Sequence, residues 1–438
     1  MAQQFKKRNY SGWGNYKKKK IQIFEIDSQS QILKIIKSKS ILPIGMSRSY
    51  GDSSLSKYLL RMTNLNRVIF FDTKKGVIEV EAGITINQLL KIIIPSGWFV
   101  PVTPGTSYVT VGGCIASDVH GKNHHIDGTF SEFIDSIKII LGNSEIINIS
   151  KKKYSDLFHA TCGGMGLTGV IISAKIYLKK IHGILINRRS IKTKNLDGLI
   201  EFFSRNNDEY NVAWLNTSVN SSNFKRGIFY SGFHSELGEL NRFKVPDRKL
   251  SYPFKHDFCL VNGININIFN FFYMNFAQNN INQISINKFF YPLDSISNWN
   301  MMYGKLGFIQ FQFVIPEKNV LENLNLILDK IKQSGSNSFL SVLKKFGPQN
   351  KNYLSFPIKG FTLTLDFRPT ITNINLISYL ESLVIEMGGR INLCKDVLMN
   401  KSTFRKSYTR WEGFEKVRSK YYAHGVFYSD QSRRLGLS

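Results

Sequence analysis

Apolar and polar positions along this chain follow two periods, and the switches between them mark out its elements. Val77-Ile78-Glu79-Val80-Glu81 alternates, which predicts a strand with one wet face. Gly83 turns the chain and Thr85 stands where a helix N-cap belongs. Ile86, Leu89, Leu90, Ile93 and Ile94 then keep the i, i+3, i+4, i+7, i+8 spacing of an amphipathic helix, closed by Pro95 and Gly97. The same reading predicts a helix over 30–37 and strands over 41–44, 137–141 and 170–178, with a helix over 154–161.

Residues 308–395 give the clearest order. A strand over 308–315 precedes a helix over 320–332, with Leu321, Leu324, Leu328 and Ile331 on one side. Strands over 339–346 and 361–367, a helix over 374–387 and a strand over 390–394 follow. That order, β-α-β-β-α-β, is the ferredoxin-like arrangement. Alternation sends Leu363, Leu365 and Phe367 to the helices, and Thr362, Thr364 and Asp366 to the other face. Gln310 and Gln312 share a face, and Lys344 stands mid-strand. A polar sheet face is either solvated or the roof of a site, and the pattern favours neither.

Residues 250–300 are rich in aromatics and asparagine. Ile264, Ile266 and Ile268 alternate with Asn265 and Asn267, and Phe269, Phe271, Phe272 and Tyr273 cluster after them. This predicts a strand or loop packed on the core; the alternative is a flap that touches a membrane or a lipid chain. Residues 396–438 form a basic, helix-like tail ending in Ser429-Asp430-Gln431-Ser432-Arg433-Arg434-Leu435.

Composition narrows the class. The chain has 438 residues, enough for two domains, and 42% are hydrophobic, which excludes a disordered chain. It shows no internal repeat, no apolar run of the ~18 residues a membrane span needs, and no apolar leader within residues 1–16. The absent leader argues for the cytoplasm, with attachment to the inner membrane, or its periplasmic face, left open. Cys114, Cys162, Cys259 and Cys394 are scattered without zinc or redox-motif spacing, consistent with a reduced compartment and no metal site. The formal charge of +27 suits polyanionic partners. Lysine, asparagine and isoleucine are abundant throughout, so most of that charge is compositional. Nucleic acid is not expected as a partner, and a contribution at a membrane surface stays open.

Candidate chemistry concentrates in residues 103–129. Gly105, Gly112, Gly113, Gly121 and Gly128 let backbone N–H groups approach an anionic ligand, and His120, Lys122, His124 and His125 follow in the same run. A second loop, Gly45-Met46-Ser47-Arg48-Ser49-Tyr50-Gly51-Asp52, leaves a predicted strand and is bounded by glycines. Gly164-Met165-Gly166-Leu167-Thr168-Gly169 matches G-x-G-x-x-G, but it leaves a helix and enters a strand, the reverse of a dinucleotide fingerprint.

SGWG at 11–14, GMSRSYGD at 45–52, VEAGITINQLL at 80–90, PVTPGTSYVTVGGCIASDVHGKNHH at 101–125 and GGMGLTGVI at 163–171 together resemble the FAD-linked oxidases of the vanillyl-alcohol oxidase superfamily. YPLD at 291–294, QFQFVIP at 310–316, LKKFGP at 343–348, LSFPIKGF at 354–361, GGR at 388–390, Lys395-Asp396 and SDQSRRL at 429–435 continue the match in family order. The resemblance implies an α+β fold of two domains: an FAD-binding PCMH-type domain over 1–183 and a substrate domain over 184–390 with the ferredoxin-like sheet. A segment over 391–438 returns to the first domain.

It also implies that the FAD pyrophosphate lies on Gly45 to Asp52 and on the loop holding Gly105, Thr110, Val111, Gly112 and Gly113. Ser117, Asp118, Val119 and His120 would line the flavin, and Ile171 would touch it. Lys395 would reach both flavin and substrate, while Tyr50, Lys122, Gln310, Gln312, Lys344 and Thr364 form the substrate pocket. Lys395 and His120 are the candidate catalytic pair. This tips the polar sheet face toward an active-site roof.

Arg48 stands where relatives with covalently bound FAD have a histidine, so non-covalent FAD is implied. Thr364 replaces a family cysteine and Asn392 a tyrosine, which alters fine substrate contacts; inhibitors that trap the cysteine should form no adduct. The implied reaction is oxidation of the 2′-hydroxyl of a polyprenylphosphoryl ribose. A separate short-chain reductase would then complete epimerisation to arabinose for the cell envelope. The alternative is oxidation of a soluble sugar, alditol or aldonolactone.

Overall fold

The computed structural model describes residues 5–219, 221–244, 250–252, 259–261 and 263–437. Two sheets build the first half. Strands β1 (Phe5–Tyr10), β2 (Lys19–Glu25), β3 (Leu42–Ile44) and β4 (Tyr58–Arg61) pair in the order β1-β2-β4-β3. Strands β5 (Val68–Asp72), β6 (Val77–Glu81), β7 (Ile134–Ile140), β8 (Ile146–Ser150) and β9 (Val170–Tyr177) form an antiparallel sheet ordered β5-β6-β9-β7-β8.

Helix α1 (Gln29–Ile36) follows β2, and α2 (Ile86–Ile93) follows β6. The N-cap expected at Thr85 is present as a reciprocal capping box. Thr85 Oγ1 accepts from Gln88 N at 3.1 Å, and Gln88 Oε1 accepts from Thr85 N at 2.9 Å. Helices α3 (Val111–Ala116) and α4 (Ser155–Thr161) follow in this half, with a short helical turn over His124–Asp127 between them. The rejected G-x-G-x-x-G run does connect a helix, α4, to a strand, β9.

The second half is one eight-stranded sheet. Strands β10 (Leu185–Thr193), β11 (Tyr210–Leu215), β12 (Gly227–His234), β13 (Asn280–Ser285), β14 (Ile309–Pro316), β15 (Ser341–Phe346), β16 (Gly360–Phe367) and β17 (Arg390–Ile391) are ordered β13-β10-β12-β11-β15-β16-β14-β17. Helices α5 (Leu196–Arg205), α6 (Gly263–Phe276), α7 (Val320–Gln333) and α8 (Ile371–Glu386) lie between them. The expected β-α-β-β-α-β unit is there as β14-α7-β15-β16-α8-β17. It is preceded by a second unit of the same order, β10-α5-β11-β12-α6-β13, joined to it where Ala213 pairs with Leu343 and Trp214 with Val342. The expectation of no internal repeat is therefore corrected at the level of topology.

The physical reason the repeat escapes the sequence lies in α6. Phe203 of α5 stacks edge-on against Phe229 and Phe361, so α5 shares the helix-covered face with α7 and α8. Trp214 and Ile228 pair with each other and project to the opposite face, where they pack with Met274 of α6. The second helix of this unit, α6, thus sits on the face opposite its counterpart α8, and the two need different apolar patterns.

The strand-or-loop reading of this region is also corrected: residues 263–276 are helical. The Ile-Asn alternation is composition rather than a period-2 face, since among the described side chains of the helix Ile266, Asn270 and Met274, four apart, are buried. Residues 253–258 of the same aromatic region lie outside the described residues.

The tail folds back on the first half through α9 (Lys401–Ser407), α10 (Trp411–Lys420) and α11 (Asp430–Leu435). Arg434 of α11 bonds both oxygens of Asp52, at 3.0 and 2.7 Å, and Asp396 at 2.8 Å. All four cysteines are free. Among the described residues no helix is long and apolar enough to cross a membrane.

Candidate active site

Two backbone loops make the floor. The first, Gly45 to Asp52, leaves β3; the second runs from Gly105 to Gly113 and enters α3, whose N-cap Thr110 accepts from Gly113 N at 3.1 Å. They touch: a Cβ on Gly45 would stand 2.1 Å from Thr110 Oγ1. Gly105 has nothing within 4 Å of a Cβ, so its backbone is open to a ligand. Ser47 in the first loop and Asp118 just past α3 hold positive φ, 49° and 41°. Trp13 N bonds Ser49 O at 2.7 Å, and the Arg48 guanidinium lies 3.7 Å over the Trp13 ring. The N-terminal SGWG run therefore backs the first loop.

Directly after that loop, the hydroxyls of Ser53, Ser54 and Ser56 are buried without a hydrogen-bond partner. Buried polar groups are rarely left so. Open backbone at Gly105, close-packed glycine loops and orphaned hydroxyls fit a bound group rich in phosphate and hydroxyl oxygens, as FAD is. Ser53 and Ser54 were missed by the sequence reading; their signal was position alone, one step past the glycine loop.

Asp118 is placed differently from its neighbours. Its carboxylate accepts from Ser131 N, Asn350 Nδ2, Asn352 Nδ2 and Ser355 Oγ at 2.6–3.2 Å. It fastens the 350–355 loop to the floor, so only its backbone is available to a cofactor. Ser117 caps the C-terminal end of α3, Val119 is half-buried beside it, and Ile171 is buried on β9.

The roof is the polar face of β14, β15 and β16. Gln310 pairs with Asp366, Gln312 with Thr364 and Lys344 with Thr362, as the alternation predicted. Gln310 Nε2 donates to Asp366 Oδ1 at 2.6 Å, and Tyr303 donates to Asp366 Oδ2 at 3.0 Å. Gln312 is held by Asn392 Nδ2, donating to its Oε1 at 2.9 Å, and its own Nε2 lies 3.3 Å from His120 Nε2. Asn392, noted from sequence only as a departure, thus orients the glutamine that meets His120. Thr364 is half-buried beside them.

Three amines converge between floor and roof. Lys395 Nζ stands 3.7 Å over the Tyr50 ring. Lys122 Nζ donates to Phe290 O at 3.3 Å. Burial lowers Lys395 and Lys122 to about 8, and burial beside those two lowers Lys344 to about 7. Asp366 is pushed up to about 7 by burial. Burial, then Lys344, His124 and Lys395, hold His120 well below the usual imidazole range, so it is neutral at pH 7. His124 and His125 leave the chemistry: His124 Nδ1 accepts from Gly347 N at 3.1 Å, and His125 Nε2 lies 3.0 Å from Asn211 Nδ2.

Cations poised to lose their protons near neutrality, a neutral imidazole and a floor fit for FAD define an FAD-dependent oxidoreductase. Residues 23–150 match the model of the FAD binding domain. Over 425 residues, 91% of this chain and 90% of its own length, decaprenylphosphoryl-beta-D-ribose oxidase of Mycolicibacterium smegmatis is 34% identical. The chain belongs to that oxidase's family. Partial similarities extend to D-arabinono-1,4-lactone oxidase of Kluyveromyces lactis, 26% identical over 35% of this chain and 31% of that enzyme. Human Delta(24)-sterol reductase is 30% identical over 26% of this chain and 22% of its own length.

Proposed function

We propose that this chain oxidises the 2′-hydroxyl of a polyprenylphosphoryl-β-D-ribose to the 2-keto sugar. The observation that carries the reading is the convergence of Lys122, Lys344 and Lys395 on one pocket lined by His120, Gln310 and Gln312. Several partly deprotonatable amines with one weak carboxyl partner form a site for an anion, and a sugar phosphate supplies one.

FAD, when bound, supplies the hydride acceptor. Gly45 to Asp52, Gly105 to Gly113, Ser53 and Ser54 hold it, and Arg48 at the position of a family histidine leaves it non-covalent. Lys344 and Lys122 take the substrate phosphate. Gln310 and Gln312, fixed by Asp366 and Asn392, orient the sugar hydroxyls. Lys395, against Tyr50, orients the 2′-hydroxyl and offsets the negative charge that grows as the C–H bond breaks. His120, neutral, accepts the hydroxyl proton at Nε2, the hydroxyl displacing the 3.3 Å contact that this nitrogen makes with Gln312 Nε2. The division into 1–183, 184–390 and 391–438 assigns cofactor, substrate and returning tail. The keto product needs a separate reductase to complete epimerisation. A lipid-linked substrate further implies contact with the membrane surface.

Visible spectra of the purified protein test this, taken before and after anaerobic addition of a polyprenylphosphoryl ribose. The expected result is a flavin spectrum that bleaches. Flavin that bleaches only with a free sugar or an aldonolactone would replace the substrate assignment. Acid precipitation should release the flavin into the supernatant.

A further inference from the structure

The α6 helix carries a feature that the pocket does not use. None of its 14 residues, 263–276, is charged. One side is seated. Ile266 joins the cluster of Trp299, Tyr303 and Phe308, against which Tyr50 of the pocket also packs, and Met274 rests on Trp214 and Ile228. The other side exposes Ile268 (51%), Phe271 (58%), Phe272 (51%) and Phe276 (77%). Positions 268, 271, 272 and 276 keep the spacing of a single helical face. Ile281, 73% exposed on edge strand β13, follows shortly after. A surface helix normally turns polar residues outward; this one turns aromatics outward on a monomer face where large apolar patches signal a partner.

The surroundings select the partner. Lys192 Nζ donates to Asn275 O at the end of the helix. Exposed Arg189 pairs directly across from Ile281. From residue 259 to 293 the chain has no Asp or Glu, and its formal charge is +27. An apolar face with Lys192 and Arg189 beside it, on a stretch of chain without carboxylates, complements an anionic lipid surface.

We propose that α6 docks the protein on anionic bilayers, its aromatic face lying among the acyl chains while its seated face borders the pocket. Because Ile266 packs in the same cluster as Tyr50, the docked helix places the pocket next to the lipid. That arrangement lets a lipid-linked sugar enter while its chain stays in the bilayer; this last step rests on the proposed substrate, whereas docking does not.

The test is flotation of the FAD-loaded full chain with vesicles of phosphatidylcholine alone or with equal phosphatidylglycerol. The wild type is expected to float with the mixed vesicles and to be released by high salt in part. The variant combining Phe271→Ser, Phe272→Ser and Phe276→Ser should lose about tenfold or more in partitioning, with flavin content unchanged. Phe272→Trp gives a second readout: its emission should shift to the blue on mixed vesicles. Wild-type partitioning by the triple variant together with an unshifted tryptophan would overturn the proposal. So would a wild-type dimer that the triple variant breaks without any vesicle binding, which would assign the face to a second copy. Vesicle binding without flavin bleaching by polyprenylphosphoryl ribose would instead sink the substrate reading and leave docking intact.

Discussion

Replacing Lys344 by Met should make the protein more stable and a worse enzyme, and both effects can be worked out from its surroundings. Burial beside Lys122 and Lys395 lowers the amine from 10.5 to about 7. At about 1.4 kcal/mol per pH unit, that gap sets about 4–5 kcal/mol against the protonated form in the fold. The side chain is half-buried and keeps some water, so the expected net gain for Lys344→Met is about 2 kcal/mol, or about 2 °C in Tm for a chain of this length.

The sign with pH is distinctive. Between pH 7 and 10.5 the unfolded chain holds a proton on Lys344 that the folded chain has released, so wild-type stability rises with pH across that window. The advantage of Met is therefore greatest at or below pH 7 and fades toward 10.5. Removing the charge also relieves Lys395, Lys122 and His120, whose protonated forms it opposes. Losing a charged hydrogen bond of about 1.5–3 kcal/mol to the substrate phosphate should raise KM by about tenfold to a hundredfold. The assay is thermal unfolding of FAD-loaded protein from pH 6 to 10, with initial rates in parallel. A variant less stable than wild type at pH 7, or a Tm gap that ignores pH, would refute the reasoning.

Three further substitutions probe other parts. Lys395→Ala should lower kcat by about 10²–10³-fold with flavin content unchanged; near-normal turnover would remove Lys395 from the mechanism. Arg434→Met strands the buried carboxylates of Asp52 and Asp396 and should cost about 3–5 kcal/mol. Asp52→Asn in the same chain should recover part of that loss; calorimetry of the double-mutant cycle measures it. Gly45→Ala drives a methyl to 2.1 Å from Thr110 Oγ1 and should part the two loops. Flavin should then be lost on gel filtration, at a stability cost of about 1–3 kcal/mol.

Much of the frame was legible in the chain, because local periodicity and local hydrogen bonding produce it. The 77–81 strand, the Thr85 capping box and the β14-α7-β15-β16-α8-β17 order follow from spacing within one element. So does the sorting of Gln310, Gln312, Lys344 and Asp366 onto one face, since a strand alternates whatever surrounds it. The glycine loops were legible because only glycine tolerates such close backbone approach.

What tertiary structure decided depends on partners far along the chain. The sheet face that covers α6 is set by Trp214 and Ile228, some fifty residues before it, so an Ile-Asn alternation could become a helix and a topological repeat could leave no sequence trace. Asp118 became a fastener for Asn350, Asn352 and Ser355, and His124 and His125 turned away from the pocket their neighbour His120 faces. The lowered lysines required three amines from three separate segments to be brought together and desolvated. Charge and residue type are written in the sequence, but desolvation exists only once the chain has closed around them.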